Sequence, residues 1–414
     1  MATIRPFKAI RPADDLADKI AALPYDVMNT EEAREMVKDN PYSFLHIDRA
    51  EIDLPEGIDP YAPEVYEKAR DTLNNMIADG QFVQDAKPCF YLYRLVMNGR
   101  AQTGLAVTAS VEEYEKGIIK KHELTRADKE QDRINHVNIT NAHTGPIFLA
   151  YRDEDEIRQL IDGVKQTVPI YDFVSEDGIG HTVWKIDDDK TINALIKAFK
   201  KVPNLYIADG HHRNASAAKV AAMRRAANPH HTGKEGYNFY LSVLFPDDEL
   251  AIMDYNRVVK DLNGLTEDAF LNTLKHTFTV NDRDNKEAAK PKVPGTFGMY
   301  LGGKWYTIVP KEMISDDCIK GLDVSVLQDR LLTPILGIGD IRTDKRIDFV
   351  GGIRGLGELE ARVDSGEMKV AFAMYPTTMA QLFAVADEDK IMPPKSTWFE
   401  PKLRSGLLIH SLDD

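Results

Sequence analysis

Apolar residues recur every four positions in the stretch that follows Pro63. The side chains at positions 65, 69, 73 and 77 would share one face of a helix, because 3.6 residues make a turn. Proline is tolerated in the first turn of a helix, and glycine commonly follows the last. We therefore predict an amphipathic helix that begins at Pro63 and stops at Gly80.

Other segments follow the pattern of strands. Residues 90–96 and 102–110 flank Asn98-Gly99, the favoured two-residue turn of a β-hairpin. Short apolar runs at 146–151 and 238–245 predict buried strands, and residues 42–47 predict a strand after a turn at Asn40-Pro41. Residues 126–137, 192–199 and about 214–226 predict helices between them, and residues 16–22 a short one. Because strands and helices interleave, we predict an α/β fold with a mixed sheet.

The second half repeats this alternation after a break in composition. Residues 282–294 are charged and bounded by proline, which marks a linker or a long loop. We predict strands at 297–301, 305–309, 347–350 and 369–374, and helices at 323–332 and 378–386. The expected organisation is a first domain over residues 1–250, a second α/β domain over 251–390, and a tail, 391–414, that packs back near the site of the first.

Charge and cysteine content narrow the function classes. The 414 residues carry 52 Lys and Arg against 66 Asp and Glu, a net charge of −14, which disfavours a nucleic-acid partner. The two cysteines, Cys89 and Cys318, lie far apart, which argues against a disulfide framework and a thiolate zinc site. No run reaches the roughly 18 apolar residues of a membrane span. We expect a cytoplasmic protein without a membrane partner.

The most informative stretch is YIADGHHRNASAA, residues 206–218. A short apolar run ends at Asp209-Gly210, and His211, His212 and Arg213 precede a helix of small residues. Free N–H groups and the helix dipole make a helix N-terminus an anion site, and an arginine adds a fork that matches phosphate. The alternative is a turn capped by Asp209 with solvated histidines. Zinc is disfavoured, because adjacent histidines usually point apart and no third ligand is spaced nearby.

A second polar cluster spans residues 118–146. In a helix from position 126, Asp128, Asp132 and His136 share one face, and Arg133 lies on the neighbouring face. The pair His122-Glu123 comes just before this helix. Such residues suit a general base, a magnesium ligand or a phosphate clamp, although a solvated helix with internal ion pairs is the competing interpretation.

A third cluster lies near the C-terminus, in the proline-bounded segment 392–406. Lys395, Ser396, Thr397 and Lys402 are all donors that can bind phosphate. A polar surface tail is the alternative.

Taken together, these motifs resemble a known family. The turn at 206–218 resembles the signature turn of the ParB/sulfiredoxin-like superfamily, which holds nucleotide phosphates. Nearly end to end, the chain resembles the prokaryotic family called domain of unknown function 1015. The resemblance rests on the following segments: Ile4-Arg5-Pro6-Phe7, Pro24-Tyr25-Asp26-Val27, Asn40-Pro41, Phe44-Leu45-His46, His122-Glu123, Asp132-Arg133, Ala208 to Arg213, Pro394 to Thr397, Phe399 and Pro401-Lys402.

This resemblance implies a ParB/sulfiredoxin-like core and phosphoryl transfer between ADP or ATP and a small hydroxyl metabolite, serine or phosphoserine first. The superfamily also includes DNA-partition proteins and sulfiredoxin. A partition protein would need a basic DNA-binding region, which the net charge of −14 does not offer, and sulfiredoxin chemistry would need a thiol near the turn, where neither cysteine lies. The expected cofactor is Mg²⁺, with the nucleotide as substrate and no zinc, and a homodimer is left open. The expected catalytic residues are Glu123 (general base), His122, Asp209 and His211; the expected phosphate ligands are Gly210, His212, Arg213, Arg133, Lys395, Ser396, Thr397 and Lys402; the expected metal ligands are Asp132 and Asp128.

Two other functions remain open at this stage. One is a nucleotide-binding regulator without turnover. The other is a metal-dependent hydrolase that uses Asp128, Asp132, His136 and His122.

Overall fold

Residues 90–110 form the hairpin around which the first sheet is built. In this computed structural model, which describes residues 1–414, the turn residue Asn98 has φ 51° and the two strands pair antiparallel along their length. The second strand is buried from Gln102 to Ala109, as expected for a strand with neighbours on both sides and packed faces. The predicted hairpin is confirmed.

The chain divides into two units, residues 1–250 with 401–414, and residues 251–400. The strands of the first unit are β1 (Ile4–Arg5), β2 (Ile10–Pro12), β3 (Phe82–Gln84), β4 (Phe90–Met97), β5 (Arg100–Ser110), β6 (Ile119–Lys120), β7 (Ala142–His143), β8 (Ile147–Tyr151), β9 (Tyr171–Val174), β10 (Gly180–Ile186), β11 (Leu205–Asp209), β12 (Phe239–Pro246) and, from the C-terminal segment, β19 (His410–Ser411). Its helices are α1 (Ala17–Ile20), α2 (Thr30–Val37), α3 (Leu45–Asp48), α4 (Pro63–Ala78), α5 (Val111–Glu115), α6 (Ala127–Thr140), α7 (Asp155–Val164), α8 (Asp189–Phe199) and α9 (His211–Ala227).

The large sheet of this unit is mixed. Its order is β6-β11-β8-β12-β5-β4-β10-β9, with β1 added to β5. The pairs β11–β6 and β12–β8 are parallel, and all other pairs are antiparallel. The α/β class with a mixed sheet is confirmed. None of the helices has both the length and the apolar character needed to span a bilayer.

The two largest apolar clusters of the first unit lie on its sheet and among its N-terminal helices. One lies between the sheet and helices α7 and α8, with Leu92, Leu149, Leu195 and Phe199 fully buried. The other packs the short N-terminal helices against α4, whose predicted apolar face is buried at Val65, Ala69 and Leu73. The amphipathic helix predicted from Pro63 is confirmed.

The second unit contains a six-stranded sheet of order β14-β16-β15-β18-β13-β17, antiparallel throughout. Its strands are β13 (Tyr255–Val259), β14 (Phe278–Arg283), β15 (Phe297–Leu301), β16 (Lys304–Pro310), β17 (Ile347–Gly351) and β18 (Val370–Ala373). Its helices are α10 (Glu267–Thr277), α11 (Lys286–Ala289), α12 (Asp323–Leu327), α13 (Leu356–Asp364) and α14 (Met379–Asp387).

Three sequence predictions need correction. Residues 42–47 were expected to extend as a strand, but Leu45–Asp48 is a helical turn, α3, because three apolar side chains within the four residues 44–47 bury equally well on a helix. Residues 282–294 are no linker: their first two residues end the edge strand β14, and the charges there suit an exposed edge. Helix α9 begins at His211, three residues before the predicted start, so the histidines and Arg213 lie in its first turn.

Candidate functional site

The strand β11 leads into helix α9 through a single glycine. Gly210 has φ +89°, a conformation that residues with a Cβ rarely adopt, and no side chain caps the helix that follows. The carboxylate of Asp209 accepts from the Gly210 N–H at 2.8 Å and from Lys402 Nζ at 2.7 Å. The N-cap of α9 is Gly210, so the first N–H groups of the helix receive no capping side chain. Asp209, the cap in the alternative interpretation, accepts from Gly210 and Lys402 instead.

The two adjacent histidines point to different neighbours. His211 is buried and lies edge-on to His122, with ring centroids 4.6 Å apart at 87°. Its Nδ1 is 3.9 Å from Glu123 Oε2, and its Nε2 is buried without a hydrogen-bond partner. His212 turns away, and its Nε2 accepts from the backbone N–H of Arg126 at 3.0 Å.

Both buried histidines are uncharged near neutral pH. Burial lowers the pKa of His122 to about 4, although a hydrogen bond to the backbone of Ile207 opposes the shift. Burial, and then the neighbouring His122, lower the pKa of His211 well below its ordinary value. Each ring thus keeps a lone pair on one nitrogen.

This arrangement corrects the sequence argument against zinc. That argument held that no third ligand is spaced near the two histidines. In the fold, His122, Glu123 and His211 offer ligand atoms that all lie within 4.8 Å of one another. The third ligand comes from the segment after β6, which sequence spacing along α9 cannot reveal.

Arg213 pairs with the carboxylate of Asp48, which the sequence analysis did not identify. Its Nη2 lies 3.1 Å from Asp48 Oδ2 and 3.3 Å from Ser405 Oγ. Asp48 is buried, and Thr144 Oγ1 donates to its other oxygen at 2.9 Å. Burial alone would raise the pKa of Asp48, but Arg213 and other nearby cationic groups hold it well below its usual range.

A tyrosine links this arginine to the polar helix α6. The ring of Tyr25 stacks with two guanidinium groups, Arg133 at 3.8 Å and Arg213 at 5.2 Å from its centroid. Arg133 is itself buried and pairs with Asp132 at 2.9 Å, while Tyr66 donates to the same carboxylate at 3.0 Å. The Nη1 of Arg133 is buried without a hydrogen-bond partner.

A cavity of about 310 Å³ opens beside this group. Both charges and apolar surface line it, including Tyr25, Arg49, Glu51, Asp132 and Arg133. Its size and mixed lining suit a small polar metabolite rather than a large apolar ligand.

The structure therefore brings together some of the sequence candidates. His122 and Glu123, from the segment after β6, lie beside His211 in the first turn of α9. Lys402, from the C-terminal segment, pairs with Asp209. Asp128 is exposed in the first turn of α6 and pairs with Arg126 at 2.8 Å. Lys395, Ser396 and Thr397 belong to the second unit, where Lys395 Nζ lies 5.5 Å from the ring of Tyr255 and Ser396 Oγ donates to Pro393 O at 2.6 Å.

The hydrolase set does not assemble around one point. His136 Nε2 bonds to the backbone oxygen of Ile47 at 3.1 Å, and Asp132 is engaged by Arg133 and Tyr66. His122 instead contacts His211. The solvated-helix interpretation of α6 is wrong as well, since Asp132, Arg133 and His136 are all buried.

A family model described as Protein of unknown function (DUF1015) matches residues 4–325. The chain belongs to this family. The resemblance inferred from the dispersed motifs is thereby confirmed for most of the chain. No curated protein gives a significant match.

Solved structures similar to this DUF1015 protein are distant. A mutant free serine kinase in complex with AMP is 13% identical, with a TM-score of 0.36 over 73% of this chain and 92% of its own. A conserved hypothetical protein from Pyrococcus furiosus is 15% identical, with a TM-score of 0.34 over 74% and 95%. A free serine kinase mutant with ADP is 14% identical, with a TM-score of 0.34 over 75% and 93%. Likenesses this low do not assign an activity.

Sequence reasoning missed several residues that build the site in this DUF1015 protein. Tyr25 was considered only as part of a family motif and Ser405 only as part of the C-terminal segment, and Asp48 was not considered. Gly145 was not considered at all, yet a Cβ there would lie 2.5 Å from Arg213 Nη1. An available signal was the position of Asp48 directly after the apolar residues at 44–47, which predicts a buried carboxylate that needs a cationic partner.

Proposed function

We propose that this protein transfers a phosphoryl group between a nucleotide, ADP or ATP, and a small hydroxyl metabolite, with serine as the first acceptor to test. The observation that carries the proposal is the first turn of α9. It follows a left-handed Gly210, lacks a side-chain cap and begins with residues whose backbone N–H groups can meet an anion.

The phosphate end of the site would use Gly210, His212 and Arg213. Backbone N–H groups at the helix start bind phosphate oxygens, and the helix dipole adds to the attraction. Because Asp48 holds one side of the Arg213 guanidinium, that group would be positioned before the ligand arrives. Lys402 and Asp209 flank the turn, so the carboxylate could meet a magnesium ion that enters with the nucleotide.

The acceptor would lie in the cavity beside Tyr25. Arg133 Nη1, a buried donor without a partner, suits an anionic group of the metabolite. In this scheme Glu123 is the general base for the acceptor hydroxyl, with His122 and His211 as its neighbours. Phosphoryl transfer depends mostly on positioning and charge stabilisation, which such a set of groups supplies.

Asp132 and Asp128 remain a prediction as magnesium ligands, and so do Lys395, Ser396 and Thr397 as phosphate ligands. Both oxygens of Asp132 already accept hydrogen bonds, from Tyr66 and from Arg133. The proposal therefore does not depend on these five residues.

Activity is tested by incubating the purified chain with Mg²⁺, ADP or ATP, and serine, and by running the reverse reaction from phosphoserine. We expect phosphoserine to form, and Glu123→Gln to reduce its rate by about 10²-fold or more, as for loss of a general base. Glu112→Gln is the control, because Glu112 is exposed and pairs only with Lys116. If neither direction yields product, or both variants behave alike, the transferase proposal fails.

Nucleotide binding is tested separately by thermal unfolding. A ligand at 100 times its Kd stabilises the native state by about 2.7 kcal/mol. Gly210→Ala should abolish this stabilisation, whereas Gly178→Ala, also at positive φ (+77°) but in an open turn, should keep it. Stabilisation without any product would instead favour the nucleotide-binding regulator.

A further inference from the structure

The cluster at the start of α9 has the composition of a metal site rather than of an ordinary polar contact. It joins two buried imidazoles, His122 and His211, with one carboxylate, Glu123. Two imidazoles and a carboxylate are a donor set found in zinc enzymes and in other transition-metal sites that keep a coordination position open. Magnesium prefers oxygen ligands, so this set would discriminate against it.

A second observation points to a missing ligand. His211 is buried, yet its Nε2 has no hydrogen-bond partner. Because Nε2 is not engaged by any protein acceptor, the ring is free to carry its proton there and to offer the lone pair of Nδ1, the nitrogen that faces Glu123, to an ion. The ring of His122 is oriented by a hydrogen bond to the backbone of Ile207, the arrangement by which proteins commonly fix a metal-binding imidazole.

The three ligand atoms, which all lie within 4.8 Å of one another, are somewhat farther apart than those around a bound ion. Ligand atoms at about 2.1 Å from a tetrahedral zinc lie about 3.4 Å apart. His211 Nδ1 and Glu123 Oε2 are 3.9 Å apart. The carboxylate can close this gap, because the Glu123 side chain is 42% exposed while both histidines are fixed in the interior. The same exposed side gives an ion a path to the site.

From these observations we infer that His122, Glu123 and His211 bind a divalent transition-metal ion, with Zn²⁺ as the first choice. This assignment reverses the expectation of no zinc. It also gives Glu123 a role that competes with general-base catalysis, because a carboxylate oxygen that binds the ion cannot at the same time accept a proton. The inference stands without the transferase proposal, because binding of the metal alone requires no nucleotide.

The test is metal binding by the full-length chain after removal of any affinity tag. Equilibrium dialysis against Zn²⁺, in the presence of excess Mg²⁺, should give one zinc per chain. His211→Ala and Glu123→Ala should each weaken binding by at least about 100-fold, since removing even an outer-shell partner costs 10–100-fold. Glu123→Ala is the variant expected to fold without difficulty, because its side chain is partly exposed.

Two histidine variants serve as controls. His212→Ala removes the neighbouring imidazole, which faces Arg126 and not the cluster. His231→Ala removes a surface histidine that pairs with Glu235 at 3.1 Å and could bind zinc adventitiously. Both should keep one tight zinc site.

Cobalt supplies a readout that does not depend on affinity. Co²⁺ bound by the wild-type chain should show the intense visible absorption of a four- or five-coordinate site, and Glu123→Ala should lose it. The inference is overturned if the wild-type chain retains no zinc, or if Glu123→Ala and His211→Ala bind as much as the wild type. Either result would leave the transferase assay unaffected, so the two proposals can fail independently.

Discussion

Gly145 gives the sharpest test of how Arg213 is held. A Cβ added to Gly145 would lie 2.5 Å from Arg213 Nη1 and 2.8 Å from Ser405 Oγ. Real Cβ atoms do not approach other atoms this closely, so in Gly145→Ala the Arg213 guanidinium must shift, which strains its contacts with Asp48 and Ser405. The hydroxyl of Ser405 can rotate away, whereas a shift of the guanidinium weakens its pairing with the buried Asp48.

The expected cost follows from what remains around Asp48. Removing one partner from a buried pair costs roughly 3–5 kcal/mol. Asp48 would keep the hydroxyl of Thr144 at 2.9 Å and would still lie near His136, whose Nε2 is 3.8 Å away. Because Arg213 is displaced and not removed, we expect at most the lower end of this range, about 3 kcal/mol of unfolding free energy.

The assay is urea denaturation followed by circular dichroism. Hydrogen exchange of peptides from β4 and β5 would assign the transition to the first unit. Gly163→Ala is the matched control: Gly163 lies in α7 with nothing within 4 Å of the added Cβ. The same chemical change there should stabilise the protein by about 0.5–1 kcal/mol, because glycine is unfavourable inside a helix.

A second background separates the proposed cause from general damage. In a chain that already carries Arg213→Ala, the atom that clashes is absent, so Gly145→Ala should cost little more. If Gly145→Ala destabilises both backgrounds equally, the contact with Arg213 is not the cause. The same conclusion follows if the single variant is as stable as the wild type.

Three further changes test other parts of the fold. Burial raises the pKa of Asp323 to about 6, although the hydrogen bond from the backbone N–H of Gly295 opposes this shift. The folded state therefore holds the proton more tightly than the unfolded state does. The free energy of unfolding consequently falls as the pH rises from about 4 to 6. The loss amounts to about 3 kcal/mol for two pKa units, and Asp323→Asn should remove it, as measured by urea titrations at pH 4 and 7. A variant whose stability still falls with pH as much as the wild type would contradict the assignment. Thr378→Ala removes the cap shared with Gln381 at the start of α14 and should cost about 1 kcal/mol, whereas equal stability would show that the cap contributes nothing. Leu105→Ala, in the buried centre of β5, should cost 2–5 kcal/mol by the same measurement, and a smaller loss would mean that the core relaxes into the space.

The sequence predicted the regular elements best where local signals agreed. The hairpin at Asn98-Gly99 and the helix from Pro63 combine a periodic pattern with a turn or breaker residue, and both appear at the predicted places. The strand predicted at 42–47 was wrong because so short a segment cannot distinguish a period of 2 from one of 3.6. The short pairings β2–β3 and β7–β19 join segments distant along the chain, and nothing local indicates them.

Only the part of the candidate site formed by residues close together in sequence could be predicted. Strand, glycine and polar residues at 205–213 together indicate a helix N-terminus, although not that the helix already begins at His211. The other half depends on tertiary contacts. Tyr25 meets two arginines more than one hundred residues away, and the space for Arg213 exists because Gly145 lacks a side chain. Such complementarity arises only once the sheet and the helices have packed.

The charges of the site change how its affinity for phosphate should be understood. The sequence analysis predicted Arg133, Arg213 and Lys402 as three cationic phosphate ligands. The structure pairs each of them with a carboxylate, Asp132, Asp48 and Asp209 respectively. Their charges therefore largely cancel before any ligand binds. Attraction for a phosphate must come chiefly from groups outside these pairs, the N–H groups at the start of α9 and the remaining donors of the two arginines, which are directional and short-ranged. Such a site selects an anion by its geometry more than by its charge.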